Sequence, residues 1–330
     1  MVSPYKNCRL CPRRCGVDRD AGQLGYCGET SALRLAFAGI HQGEEPPVTG
    51  AGGSGTVFVS GCNLGCTFCQ NHQISKQAAG RGAMGKPVGT GEFAEICLAL
   101  QGKGAENVNI VTGSHAAPAI VAGIGEARRR GLSIPVLWNS SGYDGTETLA
   151  ILKNNVDVYL PDLKTLDAKL AARFFNAPDY PENAKAAILK MMEYRVLCFG
   201  PGRAGDEVMA SGVMVRHLII PGHLENTRQV LAWFSENCTG SGRGNGSGGS
   251  RALLSLMTQY TPVPGTFLGD NCKIPNRCLS KQEYTAVLSM LDEFGIDDGF
   301  CQELVTGSGW LPDFARRNPF SSELSIPVWP

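Results

Sequence analysis

The stretch Gly61-Cys-Asn-Leu-Gly-Cys-Thr-Phe-Cys-Gln-Asn71 follows an apolar, β-branched run at 56–60 and carries three cysteines at a C-x3-C-x2-C spacing: Cys62, Cys66 and Cys69. Three thiolates on so short a loop can bind one soft-metal centre, and iron–sulfur clusters are usually held by thiolates. Three cysteines would leave one iron of a four-iron cluster free for another ligand. A structural zinc site with a distant fourth ligand, or three buried thiols, are the alternatives. Phe68, just before the last cysteine, and the preceding strand-like run favour the cluster.

Composition and charge limit the class of protein. The chain has 330 residues, of which 43% are apolar, so one large α/β domain with an appendage is expected. Lys and Arg together number 30, as do Asp and Glu, so nothing indicates a surface for nucleic acid. No apolar run approaches the roughly 18 residues of a membrane span, and residues 1–20 lack the apolar segment of a signal peptide. We therefore predict a cytoplasmic protein that binds no membrane.

A second group of cysteines lies near the N-terminus. The chain has 13 cysteines, but disulfide frameworks are typical of short secreted chains. The N-terminal group has a C-x2-C-x3-C run and one further cysteine, in a segment too poor in apolar residues to fold easily without a metal. We predict a second metal site there, with zinc or an iron–sulfur cluster bound by Cys8, Cys11, Cys15 and Cys27. Cys272 and Cys278 form a weaker pair and are expected to be loop cysteines.

After residue 50, short β-branched runs alternate with longer segments of helical spacing. The strand-like runs lie at 56–60, 107–112, 134–138, 157–160, 213–220 and 253–257. The helical segments between them include 92–100, 118–130, 146–154 and 224–235. Such alternation predicts a parallel sheet wrapped by helices, and six strands rather than eight indicate an open barrel. The predicted fold class is α/β, a partial (β/α)6 TIM-type barrel with a cysteine-rich N-terminal extension.

Small polar and charged residues follow the predicted strands. In a parallel β/α barrel the carboxyl ends of the strands lie at one face, where functional residues gather. The pattern favours a pocket for a polar ligand, although any one of these residues could be an ordinary turn or N-cap residue. The segments are 112–115, 139–144, 162–164, 221–223 and 258–260. His41, in the loop at 41–47, is expected to be a hydrogen-bonded loop histidine.

Several short motifs resemble those of the radical S-adenosylmethionine (SAM) enzymes, whose cluster loop follows a barrel strand and carries C-x3-C-x-aromatic-C. Within that group the chain is most similar to the activating enzymes of glycyl radical enzymes, in particular to the pyruvate formate-lyase activating enzyme-like subgroup. The motifs are C-x2-C-P-x2-C-G at 8–16, G-E-E-P-P at 43–47, S-G-C-N-L at 60–64, C-Q-N at 69–71, N-S-S-G-Y at 139–143, L-P-D-L-K at 160–164 and R-H-L-I-I-P-G at 216–222.

The resemblance implies a partial barrel of the radical SAM type, with a [4Fe-4S] cluster on the three loop cysteines and SAM chelated to the open iron. It implies an oxidoreductase of the activating-enzyme class, in which reductive cleavage of SAM yields a 5′-deoxyadenosyl radical that abstracts hydrogen from a substrate. No residue beyond the cluster and SAM is implied to be catalytic. The residues implied to contact the cofactors are Phe68, Gln70, Asn71, Thr112, Gly113, Ser114, Asn139, Ser140, Ser141, Asp162, Lys164 and Arg216.

The chain departs from the family pattern at two places. The family usually shows two adjacent glycines followed by Glu, and here Ser114 and His115 occupy the corresponding positions. An Asp is expected where Asn139 stands. On the fifth strand-like run, alternation directs only one of Arg216 and His217 inward, and Arg216 is the favoured one.

Domain boundaries, partners and rival functions complete the predictions. We predict a cysteine-rich metal-binding extension at 1–50, the barrel at 51–262 with a Gly/Ser-rich insertion at 239–250, and a C-terminal helix with an irregular tail at 263–330. The expected partners are an electron donor such as flavodoxin or ferredoxin and a glycyl radical enzyme whose glycine loses hydrogen. A radical SAM enzyme acting on a small molecule or peptide is the second hypothesis, and a non-catalytic iron–sulfur or zinc protein is the third.

Overall fold

The computed structural model describes residues 3–75, 84–240, 251–263, 275–309 and 311–330. Within these ranges the strands form an 11-stranded sheet. The strands are β1 Arg34–His41, β2 Ser54–Val59, β3 Lys86–Pro87, β4 Asn107–Val111, β5 Val136–Ser140, β6 Val158–Pro161, β7 Cys198–Pro201, β8 Glu207–Leu218, β9 Leu253–Met257, β10 Gly299–Cys301 and β11 Ser325–Trp329. The helices are α1 Pro46–Thr49, α2 Thr90–Gly102, α3 Ala117–Arg129, α4 Thr146–Leu152, α5 Ala168–Phe175, α6 Tyr180–Tyr194, α7 Leu224–Cys238 and α8 Lys281–Phe294.

The central part of the sheet is parallel. The strand order is β10-β9-β8-β6-β5-β4-β2-β1-β11, and neighbouring strands run parallel from β2 to β10. β1 and β11 extend the sheet beyond β2 as antiparallel strands. Among the described residues the two end strands, β10 and β11, do not pair, so the sheet is open. This confirms the predicted α/β class with a partial barrel, and each of the six strand-like runs forms a strand.

The helices pack on the parallel strands through apolar faces and end where local sequence stops them. In α3 the buried side chains include Ile120 and Ile124, one turn apart on the face that joins the core of the barrel. α8 begins with a capping box, in which the Ser280 hydroxyl accepts from the Glu283 backbone and the Glu283 carboxylate accepts from the Ser280 backbone. It ends at Gly295, whose left-handed conformation is typical of a helix C-terminus.

The C-terminal end differs from the predicted irregular tail. Ser325–Trp329 forms β11, which pairs antiparallel with β1. Pro327 fits there because a proline is tolerated on the outermost strand of a sheet. The rings of Phe314 and Phe320 pack on Phe58 of β2, with ring centroids 5.3 Å and 5.4 Å away. The tail therefore covers the side of the barrel next to the cysteine loop.

The part of the N-terminal extension that precedes β1, residues 3–33, contains no helix or strand of its own. Two arginines hold this segment to the barrel. The Arg13 guanidinium donates to the carbonyl oxygens of Asn63 at 3.0 Å and Leu64 at 3.1 Å. Arg19 is only 1% exposed and donates at 2.6 Å to a carbonyl oxygen of the turn that precedes α3. Buried carbonyl oxygens need donors, so these bonds fix the extension directly against the cysteine loop.

The fold does not test every prediction made from the sequence. Within the described ranges, no helix has both the length and the apolar composition required to cross a membrane. The Gly/Ser-rich insertion is described only as far as Gly240, and Cys272 lies outside the described residues. The predicted domain boundaries and the cytoplasmic location stay predictions.

Candidate functional site

A cavity of about 240 Å³ opens at the carboxyl ends of the parallel strands. It extends from the cysteine loop to a cluster of charged side chains inside the barrel. Most of the predicted site residues line it, although they come from distant parts of the sequence. They are Cys62, Cys66, Phe68, Cys69, Gln70, Asn71, Thr112, Asn139, Ser140, Ser141, Asp162, Lys164 and Arg216.

The conformation of the cysteine loop is fixed on two sides. The loop leaves β2 through Gly61, whose φ of 85° lies in the left-handed region that favours glycine. A Cβ at Gly61 would lie 2.6 Å from Glu29 Cγ, so the loop and the N-terminal extension are in close contact. The backbone N–H of Cys62 donates to the Cys27 carbonyl oxygen at 3.3 Å. On the other side the ring of Phe68 packs among three aromatic rings: Phe174, Phe175 and Tyr260.

The setting of the loop cysteines disfavours free thiolates. Burial raises the pKa of the Cys69 thiol to about 12, and burial also raises the pKa of Cys66. Thiolates at Cys66 and Cys69 therefore need a cation nearby, and an all-thiolate donor set is the one that iron–sulfur clusters use. Within the described residues, no three His, Cys, Asp or Glu side chains surround a single ion. By its chemistry, a donor set of three cysteines on one loop fits a cluster.

Lys164 and Asp162 form an ion pair beside the cysteine loop. Lys164 Nζ and Asp162 Oδ2 are 2.5 Å apart. Burial alone would lower the pKa of the Lys164 ammonium, but the carboxylate of Asp162 and the thiol of Cys66 outweigh it and raise this pKa. The ammonium therefore stays charged at neutral pH, where it can stabilise negative charge on sulfur or on a ligand carboxylate.

The turn after β4 has an unusual backbone. Thr112 has a φ of 64°, which is rare for a β-branched residue and is found mostly at functional sites. Packing explains Gly113, because a Cβ there would lie 2.6 Å from the Trp138 ring. Ser114 does not line the cavity, and its hydroxyl donates to Asp144 at 2.6 Å. Of the three residues predicted at this turn, Thr112 is the one at the cavity.

The carboxyl end of β5 presents polar side chains to the cavity. The Ser140 hydroxyl donates to Asp144 at 2.5 Å, so Asp144 holds both Ser140 and Ser114. Burial raises the pKa of the Asp144 carboxyl, although the two hydroxyl bonds oppose this shift. The buried hydroxyl of Ser141, which lines the cavity, has no hydrogen-bond partner among the described residues. Such atoms are rare, and one beside a cavity indicates a ligand contact.

Arg216 and Glu44 line the inner part of the cavity. Together with the residues that hydrogen-bond to this pair or to each other beside it, they form a group that we call the floor cluster: Arg216, Glu44, Glu45, Asn109 and Ser255. Arg216 Nη2 donates to Glu44 Oε2 at 2.5 Å and to the Glu45 carboxylate. The Asn109 amide donates to Glu44 at 3.1 Å, and the Ser255 hydroxyl donates to Glu45 at 2.6 Å. Burial alone would lower the pKa of Arg216, but the two carboxylates raise it, so the guanidinium stays charged. Arg216, expected to contact SAM, is therefore already bound by two carboxylates of its own chain.

His217 faces away from the cavity, as alternation along β8 predicts. Its Nδ1 lies 2.7 Å from the Leu163 carbonyl oxygen, and its Nε2 lies 3.0 Å from the Thr227 hydroxyl. Burial lowers the pKa of His217 to about 4, so the ring is neutral at pH 7. Through its contact with Thr227 of α7, the His217 ring links that helix to the sheet.

The N-terminal cysteines lie near one another but outside the cavity. Cys8, Cys11 and Cys27 are buried, whereas Cys15 is exposed. Burial raises the pKa of the Cys11 thiol to about 12, and the neighbouring thiols of Cys27, Cys8 and Cys15 contribute to this shift. The other three sulfurs are thus within electrostatic range of the Cys11 sulfur. A metal bound by them stays a prediction.

Sequence reasoning missed part of the cavity wall. The sequence identifies Glu44 and Glu45 only as members of a motif, although two adjacent acidic residues before Pro-Pro are a usable signal. His41 also lines the cavity, its ring centroid is 4.7 Å from that of Phe320, and burial lowers its pKa. No periodicity marks the tail residues that complete the wall: Pro312, Phe320 and Leu324.

Comparison with known proteins identifies the class to which the site belongs. The family model described as Radical SAM superfamily matches residues 56–202, which include β2, the cysteine loop and the strand ends up to β6. These residues, somewhat under half of the chain, are similar to a radical SAM superfamily domain. That family implies an enzyme with a [4Fe-4S] cluster and SAM, and the donor set of the cysteine loop fits the cluster.

Particular relatives were found among sequences and solved structures. The chain is 27% identical over 297 residues to Uncharacterized protein MJ0674 of Methanocaldococcus jannaschii, covering 89% of this chain and 76% of that protein. It is similar to SuiB of Streptococcus suis bound to S-adenosylmethionine, with 13% identity, a TM-score of 0.47, and coverage of 76% of this chain and 49% of SuiB. The chain thus spans about half the length of SuiB.

Two further solved structures were found in the same comparison. Methylornithine synthase (PylB) has 14% identity and a TM-score of 0.47, with coverage of 78% of this chain and 75% of PylB. A domain of pyruvate-formate lyase-activating enzyme from Bacteroides vulgatus has 14% identity and a TM-score of 0.36, with coverage of 56% of this chain and 91% of that domain.

Proposed function

We propose that the chain binds a [4Fe-4S] cluster on Cys62, Cys66 and Cys69, cleaves SAM reductively and removes a hydrogen atom from a substrate. One observation carries this proposal: the three thiols, the charged Lys164 and the polar strand ends all line the same cavity. The cluster that these three cysteines would hold would supply one-electron reduction of SAM by an external reductant, and the resulting cleavage of the C–S bond to methionine would be coupled to removal of hydrogen from the substrate.

The chain's own residues bind and orient these groups. The Lys164 ammonium lies within electrostatic range of Cys66 and Cys69, and it would offset the negative charge of their thiolates. The unpartnered Ser141 hydroxyl and the Asn139 amide can donate to polar atoms of SAM. Asp144 positions Ser140 through its 2.5 Å hydrogen bond. Thr112, at the strained turn after β4, also lines the cavity.

The substrate that gives up the hydrogen atom has two candidates. The sequence motifs favour a glycine of a partner glycyl radical enzyme, which would make the chain an activating enzyme. The cavity favours a small molecule or a peptide side chain. The C-terminal tail forms part of its wall through Pro312, Phe320 and Leu324, and its inner end carries charged groups for which a glycine backbone has no use.

Two supporting components belong to the same proposal. We propose flavodoxin or ferredoxin as the electron donor. We also propose a second metal, zinc or an iron–sulfur cluster, on Cys8, Cys11, Cys15 and Cys27. Supporting this, the carbonyl oxygen of Cys27 accepts from the N–H of Cys62, so a metal on Cys27 would help to fix the cysteine loop.

The test is production of 5′-deoxyadenosine. The protein is reconstituted anaerobically with iron and sulfide, reduced with dithionite and given SAM. The same assay is run on a variant without the loop thiols, Cys62/Cys66/Cys69→Ala. The matched control is Cys97→Ala, at a fully buried cysteine of α2 outside the cavity. We expect product from the wild type and the control and none from the triple variant. Wild type that holds its cluster and binds SAM, yet makes no product with or without candidate donors, would refute the proposal.

The donor is identified in the same preparation. A glycyl radical enzyme from the same genome is added, and its radical is sought by electron paramagnetic resonance. A glycyl radical signal that needs SAM and the three loop cysteines supports the activating-enzyme candidate. Deoxyadenosine without that signal supports the small-molecule candidate.

A further inference from the structure

We propose that the floor cluster selects a substrate with a protonated amino group, held at the inner end of the cavity by Glu44. The substrate class is a compact primary amine, or a side chain that ends in one. The inference rests on the proposed SAM chemistry for the reaction, but it concerns binding and is tested by binding.

Part of the floor cluster lies deeper in the barrel than the cysteine loop, because Asn109 is the middle residue of β4 rather than its carboxyl end. β1 is antiparallel to β2, and His41 at the end of β1 pairs with Ser54 at the start of β2. Glu44 and Glu45 follow His41, so they enter the barrel from the amino-terminal edge of the parallel strands. A substrate that offers one end to SAM at the cysteine loop therefore directs its far end to Glu44.

The floor cluster carries a net negative charge. One guanidinium, that of Arg216, faces two carboxylates. Arg216 and Ser255 lower the pKa of Glu45 despite its burial, and the two oxygens of Glu44 accept hydrogen bonds from Arg216 and Asn109. A net buried charge is costly unless a counter-ion is present.

The cavity residues of the described chain supply no further cation for this charge. Lys164 is already paired with Asp162. Burial lowers the pKa of His41, so its ring is neutral at pH 7. A cationic group on the substrate would supply the missing charge.

Unpartnered polar atoms also surround Glu44. Asn109 is fully buried, its amide nitrogen bonds Glu44, and its Oδ1 has no donor among the described residues. An ammonium group has three N–H donors, and it can satisfy acceptors on Glu44 and Asn109 together. Arg216 Nε also lacks a partner, and it is a donor that an oxygen of the same substrate would satisfy.

The wall between the two ends fits an apolar stem. Phe58, Val111, Leu218 and Met257 line the same cavity as the cysteine loop and Glu44. The Phe320 ring lies against His41 near Glu44, where an aromatic face can add a favourable contact with an ammonium group. The chemistry therefore matches an aliphatic chain that ends in an amine.

The experiment compares two probes of nearly equal size, n-butylamine and n-butanol. Both are titrated calorimetrically at pH 7.5 into the reconstituted, SAM-loaded full chain, and SAM affinity and deoxyadenosine formation are measured in the same preparations. The variants are Glu44→Gln and Glu45→Gln, each of which removes the net charge. Glu126→Gln on α3, outside the cavity, is the matched control. We expect the amine to bind about tenfold more tightly than the alcohol, because a hydrogen bond to a charged group is worth more than a neutral one.

The outcomes separate the inference from the proposed function. Either floor variant should remove the preference for the amine, while its affinities for the alcohol and for SAM stay within about twofold of the wild-type values. If Glu44→Gln fails to fold, Glu45→Gln provides the same test. Wild type that shows no preference for the amine, including wild type that binds neither probe, overturns the inference. So does a Glu44→Gln protein that loses SAM affinity but keeps the preference. Absent deoxyadenosine with an intact amine preference refutes the proposed reaction and leaves the amine site standing.

Discussion

Replacing Arg216 by methionine tests whether the floor cluster is held by charge. Arg216 is 5% exposed, and its guanidinium is bound by the carboxylates of Glu44 and Glu45. Methionine keeps an apolar stem of similar length, so the main change is the loss of the cation. Two carboxylates would then face each other inside the barrel. Breaking a buried ion pair by removing one partner costs about 3–5 kcal/mol, and two carboxylates lose their partner here, so we expect the upper part of that range.

The assay is urea unfolding at pH 7, followed by circular dichroism. The triple variant Arg216→Met/Glu44→Gln/Glu45→Gln is the control, since it removes the charges together and should recover most of the loss. In the single variant the folded-state pKa of each carboxyl is raised above its unfolded value. The single variant therefore regains stability as pH falls from 7 toward about 4, with the gain complete below the unfolded pKa. A loss under about 1 kcal/mol, or a triple variant no more stable than the single one, would refute the reasoning.

Three further predictions concern other parts of the chain. Gly113→Ala places a Cβ 2.6 Å from the Trp138 ring, so we expect a loss of about 1–3 kcal/mol in the free energy of unfolding and weaker SAM binding. Gly125→Ala, with open space around it, is the control, and equal behaviour of the two would contradict the packing argument. Arg13→Ala removes the hydrogen bonds to the cysteine loop and should speed proteolysis within residues 3–33. The control Arg9→Ala, at an exposed arginine, should not. An unchanged rate of digestion for Arg13→Ala would argue against the idea that Arg13 holds this segment in place. Arg277 and the capping box lower the pKa of Glu283 from 4.5 to about 2, so its carboxylate stabilises the fold above pH 4.5 and loses this effect as pH falls toward 2. Glu283→Gln should flatten the dependence of stability on pH in that window relative to the exposed Glu236→Gln, and identical slopes would contradict it.

The sequence alone determined the barrel and the place of the chemistry. β-branched runs and amphipathic segments are local signals, because neighbouring residues in the chain already specify strand or helix. The C-x3-C-x2-C spacing acts over a single loop, so the three cysteines could be assigned together. The strand-end residues could be placed at one face because parallel strands end at the same edge. That rule correctly gathered Asn139, Asp162 and Lys164 around one cavity.

Weakly patterned segments needed the structure. Between β6 and β8 the chain forms α5, α6 and the short strand β7, none of which was expected, and β10 adds a parallel strand beyond β9. The tail becomes β11 because the open edge of β1 offers its backbone hydrogen-bonding groups. Those groups belong to a segment almost three hundred residues earlier, which no local pattern in the tail reveals.

Side-chain partners were decided by the tertiary structure alone. Gly113 is needed because the Trp138 ring occupies the space of a Cβ, and Ser114 turns to Asp144 rather than to the cavity. Arg216 was predicted to face inward, but the sequence does not show that Glu44 and Glu45 bind it there. Strand periodicity specifies the direction of a side chain. The groups that meet it depend on how distant segments pack, and in a buried, weakly screened interior those partners set its charge and its chemistry.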